Sequence, residues 1–228
     1  MEKISSGCPI DTLLDGGYEK DILTILYGPG GSGKTNVCLA ALISVTRQGK
    51  KVVFIDTEGG LSLERLKQME PDYKKTLEKT LLLRPTTFLE QKKAFSKLRD
   101  FLKNDGTDSI GIIIVDTVAM LYRLELGKTT DVYDVNRELG VQISYLAEIA
   151  RKRKIPVVLT TQVYSDVEKN GKINIVGGDI LKYQSKCIIE LQKLHKGRRK
   201  AILRKHRSLS EDKEVVFEIM EKGLVEVD

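Results

Sequence analysis

The residues best suited to chemistry in this chain form one run, Gly28-Pro29-Gly30-Gly31-Ser32-Gly33-Lys34-Thr35, which fits the pattern G-x-x-x-x-G-K-[ST] in full. Glycines at these places let the backbone wrap around a phosphate chain and turn its N–H groups inward. A helix beginning at the end of the run adds partial positive charge at the same point. Lys34 is then placed to contact the β- and γ-phosphates of ATP, and the Thr35 hydroxyl to ligate Mg²⁺. Asn36 follows at once and is counted with the nucleotide-contacting residues.

Such a loop works with an acid that holds the metal and a group that handles water. Asp116 closes the apolar run Ile112-Ile-Ile-Val-Asp116 and is the natural second residue for Mg²⁺, directly or through water. Glu58 stands two residues beyond another apolar run ending in Asp56. From spacing alone it reads equally as the group that activates water and as an acid favouring the start of the next helix. Gln162 follows a third apolar run, and reads either as a γ-phosphate sensor or as a polar loop residue.

These residues need a scaffold, and the pattern of apolar residues supplies one. Residues 22–27, 51–56, 110–116 and 156–161 read as buried strands. Residues 35–47, 61–68 and 89–102 read as helices, and Val132, Val135, Leu139, Ile143, Leu146 and Ile149 recur at helical spacing. This alternation predicts an α/β fold with a mostly parallel central sheet flanked by helices, and ligands beyond the carboxyl ends of the strands. Residues 187–194, 201–205 and 215–218 read as hairpin-linked strands that add an antiparallel C-terminal part. One domain over residues 1–228 is expected, without repeats.

Composition narrows the setting. Hydrophobic residues make up 41% of the 228, enough for a sizeable core, yet no apolar run approaches the roughly 20 residues that cross a bilayer. No membrane partner is expected. The start has no apolar signal-peptide core, and Cys8, Cys38 and Cys187 lack metal-ligand spacing, so a reducing cytoplasm fits and all three are expected simply to pack. The formal net charge of +6 is concentrated over residues 193–207, where Lys193, Lys196, Arg198, Arg199, Lys200, Arg204, Lys205 and Arg207 have no Asp or Glu between them. That stretch is either a lysine-protected edge or a surface for the phosphate backbone of DNA. Arg151-Lys-Arg-Lys154 reads as a solvated helix end.

Ile4-Ser-Ser-Gly, the phosphate loop, Phe54-Ile-Asp-Thr-Glu58-Gly59, the strand ending in Asp116, Thr160-Thr-Gln-Val, Gly177-Gly178 and the closing basic strands occur in this order. Taken together they resemble the RecA/RadA recombinase superfamily, most closely its short euryarchaeal paralogs, over nearly the whole chain. The resemblance implies that Glu58 is the catalytic glutamate and that Arg65 packs its guanidinium on adenine. It implies that residues 127–137 and 164–176 occupy the positions of two DNA-facing loops, the second short and carrying Asp166 and Glu168. It favours DNA, single-stranded before duplex, as the ligand of Lys196, Arg198, Arg199, Lys200, Arg204 and Lys205, through phosphate contacts without base readout.

Lys205 also stands where the recombinases place an aspartate beside a neighbour's ATP. With Gly28 so near the start, no helical N-terminal domain and no filament-docking linker are expected, which leaves homodimerisation rather than a filament as the alternative to a monomer. The implied role is an ATP- and DNA-binding accessory in homologous recombination and repair with weak Mg²⁺-dependent ATPase activity. Implied partners are the main recombinase, a junction-resolving nuclease or a replicative polymerase subunit. A noncatalytic nucleotide-gated adaptor and a P-loop small-molecule kinase are the competing readings.

Overall fold

A computed structural model describes residues 2–104, 109–166 and 172–228. The chain opens with β1 (Lys3–Ile4), α1 (Ile10–Leu13) and β2 (Tyr18–Glu19), then enters the repeating part with β3 (Leu23–Tyr27), α2 (Lys34–Arg47) and β4 (Lys51–Asp56). After α3 (Leu63–Met69), α4 (Tyr73–Glu78), β5 (Thr80–Leu83) and α5 (Phe88–Asn104) come β6 (Ile110–Asp116), α6 (Met120–Leu126), α7 (Val132–Arg153) and β7 (Val157–Thr161). The remainder is β8 (Val163–Asp166), β9 (Lys172–Ile175), α8 (Gly178–Gln184), β10 (Cys187–Lys193), β11 (Arg198–His206), β12 (Glu214–Met220) and β13 (Gly223–Glu226).

Nine strands form one sheet in the order β13-β12-β11-β10-β3-β7-β6-β4-β5. From β10 to β5 every pair is parallel, and from β10 to β13 every pair is antiparallel. The mostly parallel sheet with an antiparallel C-terminal part is therefore present as the sequence predicts. Parallel strands need crossovers, and the helices that supply them cover both faces. In β6, Ile112 and Ile114 join the layer containing Leu39 and Leu42 of α2, whereas Ile113 and Val115 join the opposite layer with Leu98 of α5 and Leu146 of α7. That two-sided burial is why β6 reads as an unbroken apolar run rather than an alternating one.

Register brings the functional ends level: Tyr27 pairs with Thr161 across β3 and β7, and Asp56 with Asp116 across β4 and β6. Helix α3 starts at Leu63, two residues later than the pattern predicts, because Ser62 caps it by accepting a 3.2 Å hydrogen bond from the Arg65 N–H. The short elements, α4 and β5 among them, are not marked by the apolar pattern; β5 has only four residues and lies at the sheet edge. Within the stretch expected as the second loop, β8 pairs antiparallel with β9, and the acid expected at Glu168 lies outside the described residues. Cys8, Cys38 and Cys187 are all free and buried; burial pushes the Cys8 thiol to about 11 and the Cys187 thiol to about 12. Among the described residues no helix is long and apolar enough to cross a membrane.

Candidate functional site

Beyond Tyr27 the chain leaves β3 and turns back within the phosphate loop to start α2 at Lys34. A Cβ at Gly28 would stand 2.2 Å from the Leu191 carbonyl oxygen, so only glycine allows the loop to pass this close to β10. Lys34 is buried, and its ammonium donates to the Gly28 and Pro29 carbonyls at 2.8 and 3.0 Å. Burial lowers its pKa, while the carboxylates of Glu58 and Asp116 act in the opposite direction. The Ser32 hydroxyl is buried with no hydrogen-bond partner. A buried ammonium at the start of α2, with one hydroxyl of the loop left orphaned in the fold itself, fits a phosphate chain.

Thr35 donates a 2.7 Å hydrogen bond to one Asp116 oxygen, and Thr160, at the end of β7, donates to the other. Burial raises the Asp116 pKa; Glu58 and Asp56 add to that rise, and the two hydroxyls oppose it. A carboxylate desolvated in this way gains most from a cation, and its neighbour Thr35 offers a second oxygen to that cation. No cluster of three or more His, Cys, Asp or Glu among the described residues could hold a metal on its own. The donor set matches Mg²⁺, which characteristically takes few protein oxygens and completes its shell with phosphate and water.

Asp56 is a positioning residue. Its two oxygens accept from the Gly60 and Leu61 N–H groups at 3.0 and 3.2 Å, which folds residues 57–60 into a tight turn over the loop. A Cβ at Gly60 would lie 3.3 Å from the Thr35 hydroxyl, so this turn passes directly over the metal-facing pair. Thr57 locks the turn to the end of β6, accepting from Thr117 N at 3.0 Å and donating to Thr117 O at 2.6 Å. Glu58 is thereby held exposed at the rim, where Gln162 donates to it at 2.7 Å. Glu58, Gln162, Met120, Arg123, Lys128 and Val176 line a cavity of about 830 Å³ between α6 and the β8–β9 hairpin.

Arg65 on α3 donates to Asn36 Oδ1 at 2.7 Å, to Gln68 Oε1 at 3.1 Å, and to the carbonyls of Met220 and Glu221 at 2.8 Å each. These donors lie in the guanidinium plane, so the flat face remains for stacking. Arg65 and Asn36 are thus joined to each other and to the β12–β13 turn. Sequence reading missed Thr160, Thr57 and the ordering role of Asp56. Each is a small polar residue at a strand end, a type too common for its position to stand out.

The basic stretch differs from its expected form. It contains no acid in sequence, but the neighbouring strands and turns supply them: Arg198 meets Glu218 at 3.3 Å, Lys200 meets Glu214 at 3.0 Å, and Arg204 meets Glu190 at 2.7 Å and Asp212 at 2.6 Å. Lys205 donates to the Lys182 and Ser185 carbonyls at 2.9 Å each, at the end of α8, where a cation suits the helix dipole. Arg199 donates to the Gly31 carbonyl at 3.1 Å, and the Lys193 ammonium lies against Gly31, so both flank the phosphate loop. Lys196 is exposed on the turn His195–Gly197. The acid-free run is not an acid-free surface, because the neighbouring strands and the β11–β12 turn bring carboxylates to Arg198, Lys200 and Arg204.

A sequence profile of the Rad51 family matches residues 1–227. The chain is 40% identical over 227 residues to the DNA repair and recombination protein RadB of Methanobrevibacter smithii, with 98% of this chain and 95% of that protein covered. It is 41% identical over 225 residues to RadB of Methanococcoides burtonii, covering 98% and 97% respectively. A crystal structure of the RadB recombinase superposes with a TM-score of 0.81 at 34% identity, covering 99% of this chain and all of that one. A matching profile over nearly the full length, together with a shared RecA-like fold at this identity, leads to one conclusion: the chain belongs to the Rad51 family.

Proposed function

We propose that this protein is an ATP- and DNA-binding accessory factor in homologous recombination and repair, whose slow ATP hydrolysis is coupled to DNA. The observation that carries the reading is the Gln162–Glu58 hydrogen bond, which ties the end of β7 and the hairpin beyond it to the acid at the nucleotide's edge. In this reading the phosphate loop and Lys34 hold the triphosphate, and the Arg65 face stacks on adenine. Thr35 and Asp116 hold Mg²⁺, which when bound neutralises charge on the phosphates. Glu58 orients water and takes its proton; the bond from Gln162 biases where that carboxylate points.

DNA engages the hairpin side and the exposed cations around Lys196, while Arg198, Lys200, Arg204 and Lys205 serve first as sheet and helix-end partners. A main recombinase, a junction-resolving nuclease or a polymerase subunit is the protein partner class that such an accessory serves. A kinase reading has less support, because among the described residues the 830 Å³ cavity beside Glu58 is bordered by Arg123 and Lys128 with no further carboxylate to activate an acceptor hydroxyl. The test is ATP hydrolysis with and without single-stranded DNA, with nucleotide-dependent DNA binding followed on the same sample. Turnover that rises with DNA supports the reading. Partner capture gated by ATP, with turnover indifferent to DNA, would replace it with a noncatalytic adaptor.

A further inference from the structure

The run Arg151-Lys152-Arg153-Lys154 lies at the pole of the molecule opposite the nucleotide, because α7 ends there just before β7 begins and the parallel strands point away from it. All four side chains are exposed. Three clefts meet at this run. The first, about 280 Å³ between α5 and α7, is lined by Arg99, Lys103, Tyr145, Lys152 and Arg153. The second, about 260 Å³, adds Lys3, Lys20, Lys50 and Lys154, and the third, about 170 Å³, adds Arg151 and Lys186.

Carboxylates on these linings are few. Glu148 takes Lys152 at 2.8 Å, Glu2 takes Lys20 at 2.8 Å, and Asp21 takes Arg207 at 2.6 Å and stands 3.9 Å from Lys154. Exposed pairs of this kind are weak and exchange readily for another anion. The excess of cations comes from α5, α7 and the segments that precede β3, β4 and β10, so it reflects the fold rather than one charged helix end.

The chemistry of this surface discriminates among polyanions. Protein interfaces are depleted of charge at their centre and enriched in aromatics, and membrane-bound surfaces need an apolar anchor besides cations. Among the described residues lining these clefts, Tyr183 is the one large hydrophobic that is exposed, and it lies at the border of the third. Tyr145 is covered by the Arg99 guanidinium, 5.0 Å from its ring centre, so it offers no open face on which an unpaired base could stack. Cations spread over three clefts, with one open aromatic at the border of the third, suit a stiff rod carrying a phosphate about every 1.7 Å of its axis.

We infer that the pole formed by Arg99, Lys103 and residues 151–154 is a second DNA surface, specific for the backbone of duplex DNA and separate from the nucleotide-side cations and hairpin. It stands independently of the hydrolytic reading above, since it involves neither the phosphate loop nor Gln162. Binding there is sequence-independent and depends steeply on salt, as counterion release requires.

The test compares wild type with a Lys103→Gln, Lys152→Gln, Arg153→Gln, Lys154→Gln variant by fluorescence anisotropy on a labelled duplex across a salt series. The expected result is at least tenfold weaker duplex binding, with the salt slope lower by about 0.9 for each phosphate left unneutralised and ATP affinity unchanged. Wild-type affinity and slope in the variant would overturn the inference and return the run to a solvated helix end. Competition by polyglutamate or by anionic phospholipid vesicles as effective, charge for charge, as by duplex would also overturn it, assigning the pole to an acidic protein or a membrane. If the variant does not fold, hydrogen exchange on the wild type decides: duplex must protect residues 99–103 and 151–154, and absence of protection sinks the proposal. Duplex binding by the wild type without any stimulation of its ATP hydrolysis would count against the hydrolytic reading and not this one.

Discussion

Gln162 donates a 2.7 Å hydrogen bond to Glu58 across 104 positions of the chain, from the end of β7 to the turn after β4. Neither residue is next to the other in the sheet, because β6 runs between their strands. Their meeting depends on the turn that Asp56 ties down and on Thr57 clasping Thr117 above the end of β6. The bond joins the turn that carries Glu58 to the end of β7, from which the chain continues into β8, the two sides that the proposed coupling connects.

Glu58→Gln should leave nucleotide affinity within a fewfold of wild type and lower hydrolysis by about 10² or more, the scale of losing a general base. Calorimetry with a nonhydrolysable ATP analogue and single-turnover hydrolysis separate the two effects. Wild-type turnover would make Glu58 only an acid at the turn.

Asp116→Asn should raise the stability of the ligand-free protein at neutral pH while abolishing the stabilisation that Mg²⁺ with ATP confers. The sign follows from burial, which raises the folded-state pKa of this carboxyl above its unfolded value. Its contribution to stability is present at low pH and is lost as pH rises through the carboxylate range to the folded value; above that, the ionised group is destabilising. Thermal melts of both proteins, with and without Mg²⁺ and ATP, check it. An Asn variant less stable when ligand-free, or still stabilised by Mg²⁺ and ATP, would contradict the assignment.

Much of this site can be read directly from sequence. The phosphate loop stands out because its ordered glycine pattern has few other uses, whereas Asp116, closing a strand that is apolar simply because it is buried on both faces, is picked out only by pairing it with that loop. Glu58 is ambiguous from spacing, since an acid two residues past a strand serves a helix start just as well; only the turn geometry shows it at the rim facing Gln162. The basic strands mislead for a physical reason. Sequence displays neighbours along the chain, whereas Glu214, Glu218 and Glu190 become neighbours of Lys200, Arg198 and Arg204 through strand pairing. The short β5 and α4 escape because four to six residues carry too little periodicity to separate from a loop.

Arg65→Ala should weaken ATP binding by about tenfold, roughly 1.4 kcal/mol, through loss of the stacking face. The same change releases the Met220 and Glu221 carbonyls, so backbone hydrogen exchange at residues 220–223 should rise as well. Unaltered ATP affinity by calorimetry would leave Arg65 as a strut between α3 and the terminal hairpin.

Replacing Arg198, Arg199 and Lys200 together with alanine should flatten the salt dependence of single-stranded DNA binding by the equivalent of a single phosphate, about 0.7 in slope, rather than of three. Arg198 and Lys200 are already matched with Glu218 and Glu214, so their charge is largely neutralised within the sheet. A fall of about 2 in slope, the sum expected for three phosphates, would show that DNA displaces those carboxylates.

The most direct measurement of the central claim is ATP turnover of wild type and Gln162→Ala, each with and without single-stranded DNA. Nucleotide and DNA affinities are recorded for both proteins alongside turnover. The coupling described above predicts that wild-type turnover rises with DNA, and that the variant keeps its basal turnover within a fewfold and both affinities but no longer responds to DNA. Equal stimulation of the two proteins would contradict it, showing that the Gln162–Glu58 bond does not carry the coupling.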